Sequence, residues 1–131
     1  MYWDGWNTER IVILFVSLAY LLIGIQVTMF HYRQNFHRKI MWAPVLASPL
    51  FFVCGMAYVF YRVDWLHSLF VVLMWVGVIA GVVGFYMHTQ GVRVRVGGWS
   101  VRNFLIGPPV ILPLLFGALG ALGLIAAYML P

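Results

Sequence analysis

Four long apolar runs divide the chain, at 11–32, 40–61, 66–87 and 106–130, and none of them contains Asp, Glu, Lys or Arg. Each reaches the ~20 residues that a helix rising 1.5 Å per residue needs to cross a hydrocarbon core about 30 Å thick. The pattern predicts an all-α integral membrane protein. Its four transmembrane helices should form one up-down bundle over residues 1–131, because short connections force neighbours to run antiparallel. A closed β-barrel, the other way to satisfy every backbone group in lipid, needs shorter segments of alternating polarity. The first run has no basic leader and no small-residue cleavage pattern after it. It is therefore expected to remain as a membrane helix, with the mature chain starting near Met1.

The connections carry the polar residues and predict an orientation. Arg33, Arg38 and Lys39 lie in the first connection and Arg93, Arg95 and Arg102 in the third, so one side of the membrane takes six of the eight basic residues. The other side has Arg10 and Arg62 beside Asp4, Glu9 and Asp64, the only carboxylates of the chain. The positive-inside rule then puts both termini outside the cytoplasm, in an inner membrane of bacterial type. The aromatic belts fit: Trp3, Trp6, Tyr61 and Trp65 mark one interface, and Tyr32, Trp42, Tyr86 and Trp99 the other. Within the third connection, Val92, Val94 and Val96 alternate with Arg93 and Arg95 before Gly97-Gly98 and the returning Trp99-Ser100-Val101-Arg102. That alternation predicts a short β-hairpin in this loop, with Arg93, Arg95 and Arg102 on one face toward lipid headgroups or an acidic partner. The plainer expectation is a surface loop whose arginines set topology.

Composition narrows the function classes. With 64% hydrophobic and 8% charged residues, and a mean hydropathy of +0.96, the chain is far too apolar for a soluble domain. The net charge of +5 is accounted for by orientation signals, so it does not point to nucleic acid. Cys54, the single cysteine, lies within an apolar run and offers neither a disulfide nor a metal site.

Within the helices, small residues predict close packing. Gly77, Gly81 and Gly84 fall on one face of the third helix, and Gly117, Gly120 and Gly123 recur in the fourth among several alanines, enough for both a fold contact and a partner contact. Pro44 and Pro49 are expected to bend the second helix, and Pro108 and Pro109 to start the fourth. Ser17, Tyr20, Gly24, Thr28 and His31 form a polar stripe on the first helix, with Gln26 on the opposite side. His88 continues the glycine face of the third helix, so His31 and His88 could hold haem b between two imidazoles or shape a quinone pocket. The simpler expectation is no cofactor, the histidines serving as hydrogen-bonding residues near the interface.

No zinc-helix, phosphate-loop or nucleophile-elbow motif is present, and the carboxylates sit outside the helix centres, so no self-contained enzymology is expected. In length and four-helix plan the chain resembles small multidrug-resistance transporters. That family relies on a membrane-embedded glutamate in its first helix, and the run 11–32 has none. The fluoride-channel family is of similar size, but its glycine-arginine pattern is not found. The sequence therefore predicts a small non-catalytic subunit, an accessory, anchor or assembly component of a larger membrane complex, with the bilayer and other membrane subunits or further copies as partners. The alternatives are a haem- or quinone-binding redox subunit and a small dimeric transporter or channel using the Ser17, Tyr20, Thr28 stripe.

Overall fold

The computed structural model describes residues 2–131, and every regular element in it is helical. Helix α1 spans Thr8–Arg33, a 3-10 turn at Lys39–Met41 leads into α2 at Trp42–Phe60, and α3 spans Asp64–Val96. A short α4 at Val101–Ile106 precedes α5 at Ile111–Met129. Four of these segments (α1, the turn together with α2, α3 and α5) are long and apolar enough to cross a membrane.

The helix ends have local causes. Asn7 caps α1 by accepting from the Arg10 backbone N–H at 2.9 Å, and Glu9 in the first turn suits the positive end of the helix dipole. Pro44 stands in the first turn of α2, where no backbone donor is needed, while Pro49 lies inside the helix. Helix α5 starts at Ile111 and not at the expected 106. Ile106 instead closes α4, whose cap residue Gly107 is followed by Pro108 and Pro109 as an irregular link.

The expected hairpin is replaced by helix. Residues 92–96 continue α3, which ends at Gly97 with a left-handed φ of 91°, and no strand occurs among the described residues. At 33 residues α3 is about 50 Å long, well beyond the hydrocarbon thickness, so its last turns stand outside the core. Gly98, also at positive φ (128°), completes the reversal, and Ser100 caps α4 by accepting from the Asn103 N–H.

Contacts join α1 with α2 and α5, and α3 with α2 and α5. The N-terminal part of α1 meets the C-terminal part of α2, through the Trp3 indole N–H donating to the Tyr58 carbonyl and Arg10 to Val59. At the opposite ends of the same helices, His31 meets Met41. Tyr20, Phe51, Phe70, Met74 and Phe116 fill the core, with the Tyr20 ring edge-on to both Phe51 and Phe116 at 5.0 Å.

The glycine positions divide between neighbours. A Cβ on Gly81 would lie 2.8 Å from the Pro113 carbonyl oxygen and would overlap the Gly117 backbone, while one on Gly84 would press on the Pro113 ring. Gly120 meets the Met74 and Val78 backbone in the same way, so the α3–α5 contact there is backbone against backbone, while Gly123 receives the Met74 side chain. Gly77 instead faces Tyr20 and Phe51. Two further close approaches, Ser17 on Gly55 and Ser48 on Gly24, join α1 to α2.

Gly81→Leu should therefore cost at least the roughly 1–3 kcal/mol typical of overpacking, whereas Val82→Leu, on a position 64% exposed, should be nearly neutral. Thermal unfolding of the two variants in detergent checks this. Equal melting temperatures would remove the close-contact account.

Candidate functional site

The two ends of the bundle differ in chemistry. At the end carrying the termini, polar groups are mutually satisfied. Glu9, only 4% exposed, accepts from the Tyr58 hydroxyl at 3.4 Å and pairs with Arg62 at 3.6 Å, and its backbone N–H donates to the Pro131 carbonyl. The Arg62 guanidinium lies 4.8 Å from the Trp3 ring centroid, and that of Arg10 lies 3.8 Å from the Trp6 centroid. This clasp ties the N-terminal segment to α2 and to the last residue of the chain. Sequence reasoning placed Glu9 in an outer segment without seeing its burial. The available signal was an acidic residue in the first turn of an apolar helix, which by itself does not tell cap from core.

The opposite end has no carboxylate, and it holds a cavity of about 380 Å³. Arg33, Gln34 and Arg95 supply its polar lining, and Phe30, Val96, Ile106, Pro108 and Pro109 form apolar walls. Arg33 comes from the last turn of α1, Arg95 from the last turn of α3, and the prolines from the irregular link before α5. Arg95 donates to the Gln34 side-chain oxygen at 3.5 Å and to Nε2 of His37. The His37 Nδ1–H donates in turn to the Gln34 carbonyl at 3.2 Å, so both ring nitrogens are engaged. Arg95 thus has no carboxylate partner.

The other expected residues fall around this mouth. His31 is buried and donates Nδ1–H to the Met41 carbonyl at 2.6 Å, while His88 does the same to the Pro109 carbonyl at 2.6 Å. Each imidazole fastens a connection to its helix, and each keeps its Nε2 lone pair. Neither ring lines the 380 Å³ cavity, nor an apolar groove of about 290 Å³ between α1 and α2. Among the described residues no three His, Cys, Asp or Glu side chains gather as metal ligands. Of the three loop arginines only Arg95 reaches the cavity. Arg93 bonds Gln90 and lies 5.8 Å from the Trp99 ring centroid, and Arg102 is exposed on α4.

The polar stripe of α1 lies mainly against the bundle. The Ser17 hydroxyl donates to the Ile13 carbonyl, Tyr20 to Phe116 across the bundle at 2.7 Å, and Thr28 to Gly24. Thr89 Oγ1 is the single buried side-chain polar atom without a partner among the described residues. Gln26 points outward between the exposed Leu22, Ile25 and Met29. Comparison with protein-family profiles, characterised proteins and solved structures finds no match for this chain.

Glu9→Ala should lower the stability by about 1–3 kcal/mol, since it strands the Tyr58 hydroxyl and leaves Arg62 without its partner. Asp4→Asn, at an exposed residue, should stay within about 0.5 kcal/mol of the parent. Reversible denaturation in mixed micelles compares them, and equal effects would show that the clasp adds nothing.

Proposed function

We propose that this protein is a small non-catalytic membrane subunit, an accessory, anchor or assembly component of a larger complex. It forms an up-down bundle in a bacterial-type inner membrane with both termini outside the cytoplasm. The observation that carries the reading is Gln26. Its amide lies on the outer face of α1, seven residues and hence about 10 Å from the end of the helix at Arg33. A primary amide facing hydrocarbon is costly, and a hydrogen bond to a neighbouring transmembrane helix removes that cost. The exposed Ala118 and Ala121 of α5 offer a second surface that another helix can approach closely. Meanwhile the Ser17, Tyr20, Thr28, Ser48, His31 and His88 side chains are engaged with backbone carbonyls inside the molecule, which favours a structural over a chemical role.

A redox subunit is the second reading, favoured by one observation. Both His31 and His88 donate Nδ1–H to a carbonyl and keep Nε2 as a lone pair, the arrangement that orients metal-ligating imidazoles. Haem b between these rings would give a Soret band in the purified protein that His88→Ala abolishes, and a quinone site would give a co-extracted quinone lost in the same variant. The accessory reading expects neither. A transporter using Ser17, Tyr20 and Thr28 would show substrate flux in proteoliposomes.

Two measurements test the main reading. Gln26→Leu should weaken assembly with the partner subunits or further copies seen by native mass spectrometry, while leaving the melting temperature equal or higher. Unchanged assembly stoichiometry would refute the role given to Gln26. Cysteines placed at the exposed Asn35 and Ser100 should react with impermeant maleimide only from the cytoplasmic side, and labelling from outside would refute the orientation.

A further inference from the structure

The cavity bounded by Arg33 and Arg95 has the features of a binding site that the accessory role does not require. Two guanidinium groups approach it from different helices, α1 and α3, with no carboxylate at this end of the molecule to neutralise them. The one ion pair among the described residues, Arg62 with Glu9, lies at the opposite end. The remaining wall offers little to a polar solute. Pro108 and Pro109 have no backbone donor, the Gly107 N–H is already given to Asn103, and Phe30, Val96 and Ile106 are apolar.

The surroundings identify the medium in which the cavity opens. Val101 and Leu105 of α4 are each 79% exposed and Ile106 67%, and Trp99 and Val94 beside them are exposed as well. Apolar side chains this exposed, on a six-residue helix next to the end of a transmembrane helix, mark a segment lying in the bilayer interface. The exposed Tyr32, Trp42 and Tyr86 belong to the same belt. An opening with two arginines, apolar walls and an interfacial rim is matched by an amphiphile whose anionic group meets the guanidiniums while its chains follow the walls into the hydrocarbon.

We propose that the cavity between Arg33 of α1, Arg95 of α3 and the Pro108-Pro109 link binds one anionic glycerophospholipid, its phosphate held by the two guanidinium groups. Arginine suits this because its planar fork can give two parallel N–H···O bonds to a phosphate. Occupancy would join the ends of α1 and α3 to the start of α5, adding to the hydrogen bonds of Gln34, His37 and His88 and to the packing of α3 on the proline link. The inference rests on the membrane-spanning reading of the four helices and not on the accessory role, so its failure would leave that role standing.

Native mass spectrometry of the purified chain released from nanodiscs tests it, with phosphatidylglycerol and phosphatidylcholine as the two lipids. One phosphatidylglycerol per chain should be retained, at least about tenfold more tightly than phosphatidylcholine, whose phosphate is the same but whose choline cation is repelled by the two guanidinium groups. Equal retention of the two lipids overturns the proposal, whatever any variant does. Arg33→Gln with Arg95→Gln should abolish the preference, whereas Arg93→Gln with Arg102→Gln removes the same charge outside the cavity and should keep it. If both pairs lose the preference equally, the attraction belongs to the surface as a whole and the site is refuted. Arg33→Lys with Arg95→Lys, which keeps the charge, should retain a weakened preference, and its complete loss in a folded protein overturns the phosphate assignment. Soluble glycerol phosphate at millimolar concentration should not displace the lipid, because it cannot use the apolar walls. Displacement would assign the cavity to a free anion instead.

Discussion

The close approach of the Gly81 and Gly117 backbones sets the rest of the bundle. Helices in lipid gain nothing from hiding apolar surface from water, so their association depends on packing and on polar contacts that need short distances. Helices α3 and α5 meet backbone to backbone at Gly81, Gly117 and Gly120, while Gly84 receives the Pro113 ring and Gly123 the Met74 side chain. That contact places the Phe116 carbonyl where the Tyr20 hydroxyl of α1 can reach it at 2.7 Å, and the Ala127 carbonyl where the His67 Nε2–H reaches it at 3.3 Å. The α1–α2 pair uses the same device on a smaller scale, through Ser17 on Gly55 and Ser48 on Gly24. Adding a methyl group at Gly81 or Gly120 would push apart the α3 and α5 backbones.

Charge is distributed along the bundle as unevenly as packing is uniform. The three carboxylates stay at the end with the termini, and there Glu9 is buried against Arg62 and Tyr58, with the Trp3 ring on the Arg62 guanidinium. A buried carboxylate persists only when it is paired and hydrogen-bonded, and the clasp meets both conditions within the chain. The six basic residues of the other end have no such partners. Arg95 reaches only Gln34 and His37, neither of them a carboxylate. Such an end leaves its charge for something outside the chain, whether headgroups or another subunit.

Much of this was legible in the sequence, and the failures have identifiable causes. The four apolar runs correspond to four membrane-length helices, because length and the absence of charge suffice to define them. The spacing of the α3 glycines puts them on one face, but a helix face is wider than one neighbour: Gly77 faces Tyr20 while Gly81 and Gly84 face α5. Periodicity puts Ser17, Tyr20 and Thr28 of α1 on one stripe. What periodicity leaves open is whether such a stripe is a path or a set of groups bonded to backbone, and the Ser17, Tyr20 and Thr28 hydroxyls are bonded. His31 and His88 lie near the same end, as their positions suggested, yet each is tied to a different connection and neither lines the cavity. The cavity itself could not be read in advance, since it needs the ends of α1, α3 and α4 and the proline link brought together by tertiary packing.

The region mistaken for a hairpin shows how the same constraint governs the membrane surface. Alternation of valine and arginine over residues 92–96 fits a strand, but α3 reaches that point already hydrogen-bonded along its length, and no glycine or proline interrupts it between Gly91 and Gly97. Continuing the helix satisfies each new backbone group locally. An isolated two-stranded ribbon would leave both of its edges unpaired beside the bilayer and is at best marginally stable. The helix therefore continues until Gly97 and Gly98 provide the positive φ values of a reversal. That extension has a consequence for the site. It carries Arg95 on the last turn of α3, and α4 turns back so that Ile106 and the proline link also line the cavity. A flexible hairpin could have presented its arginines broadly to the surface, whereas the helix directs one of them, Arg95, toward Arg33 and leaves Arg93 and Arg102 on the outside.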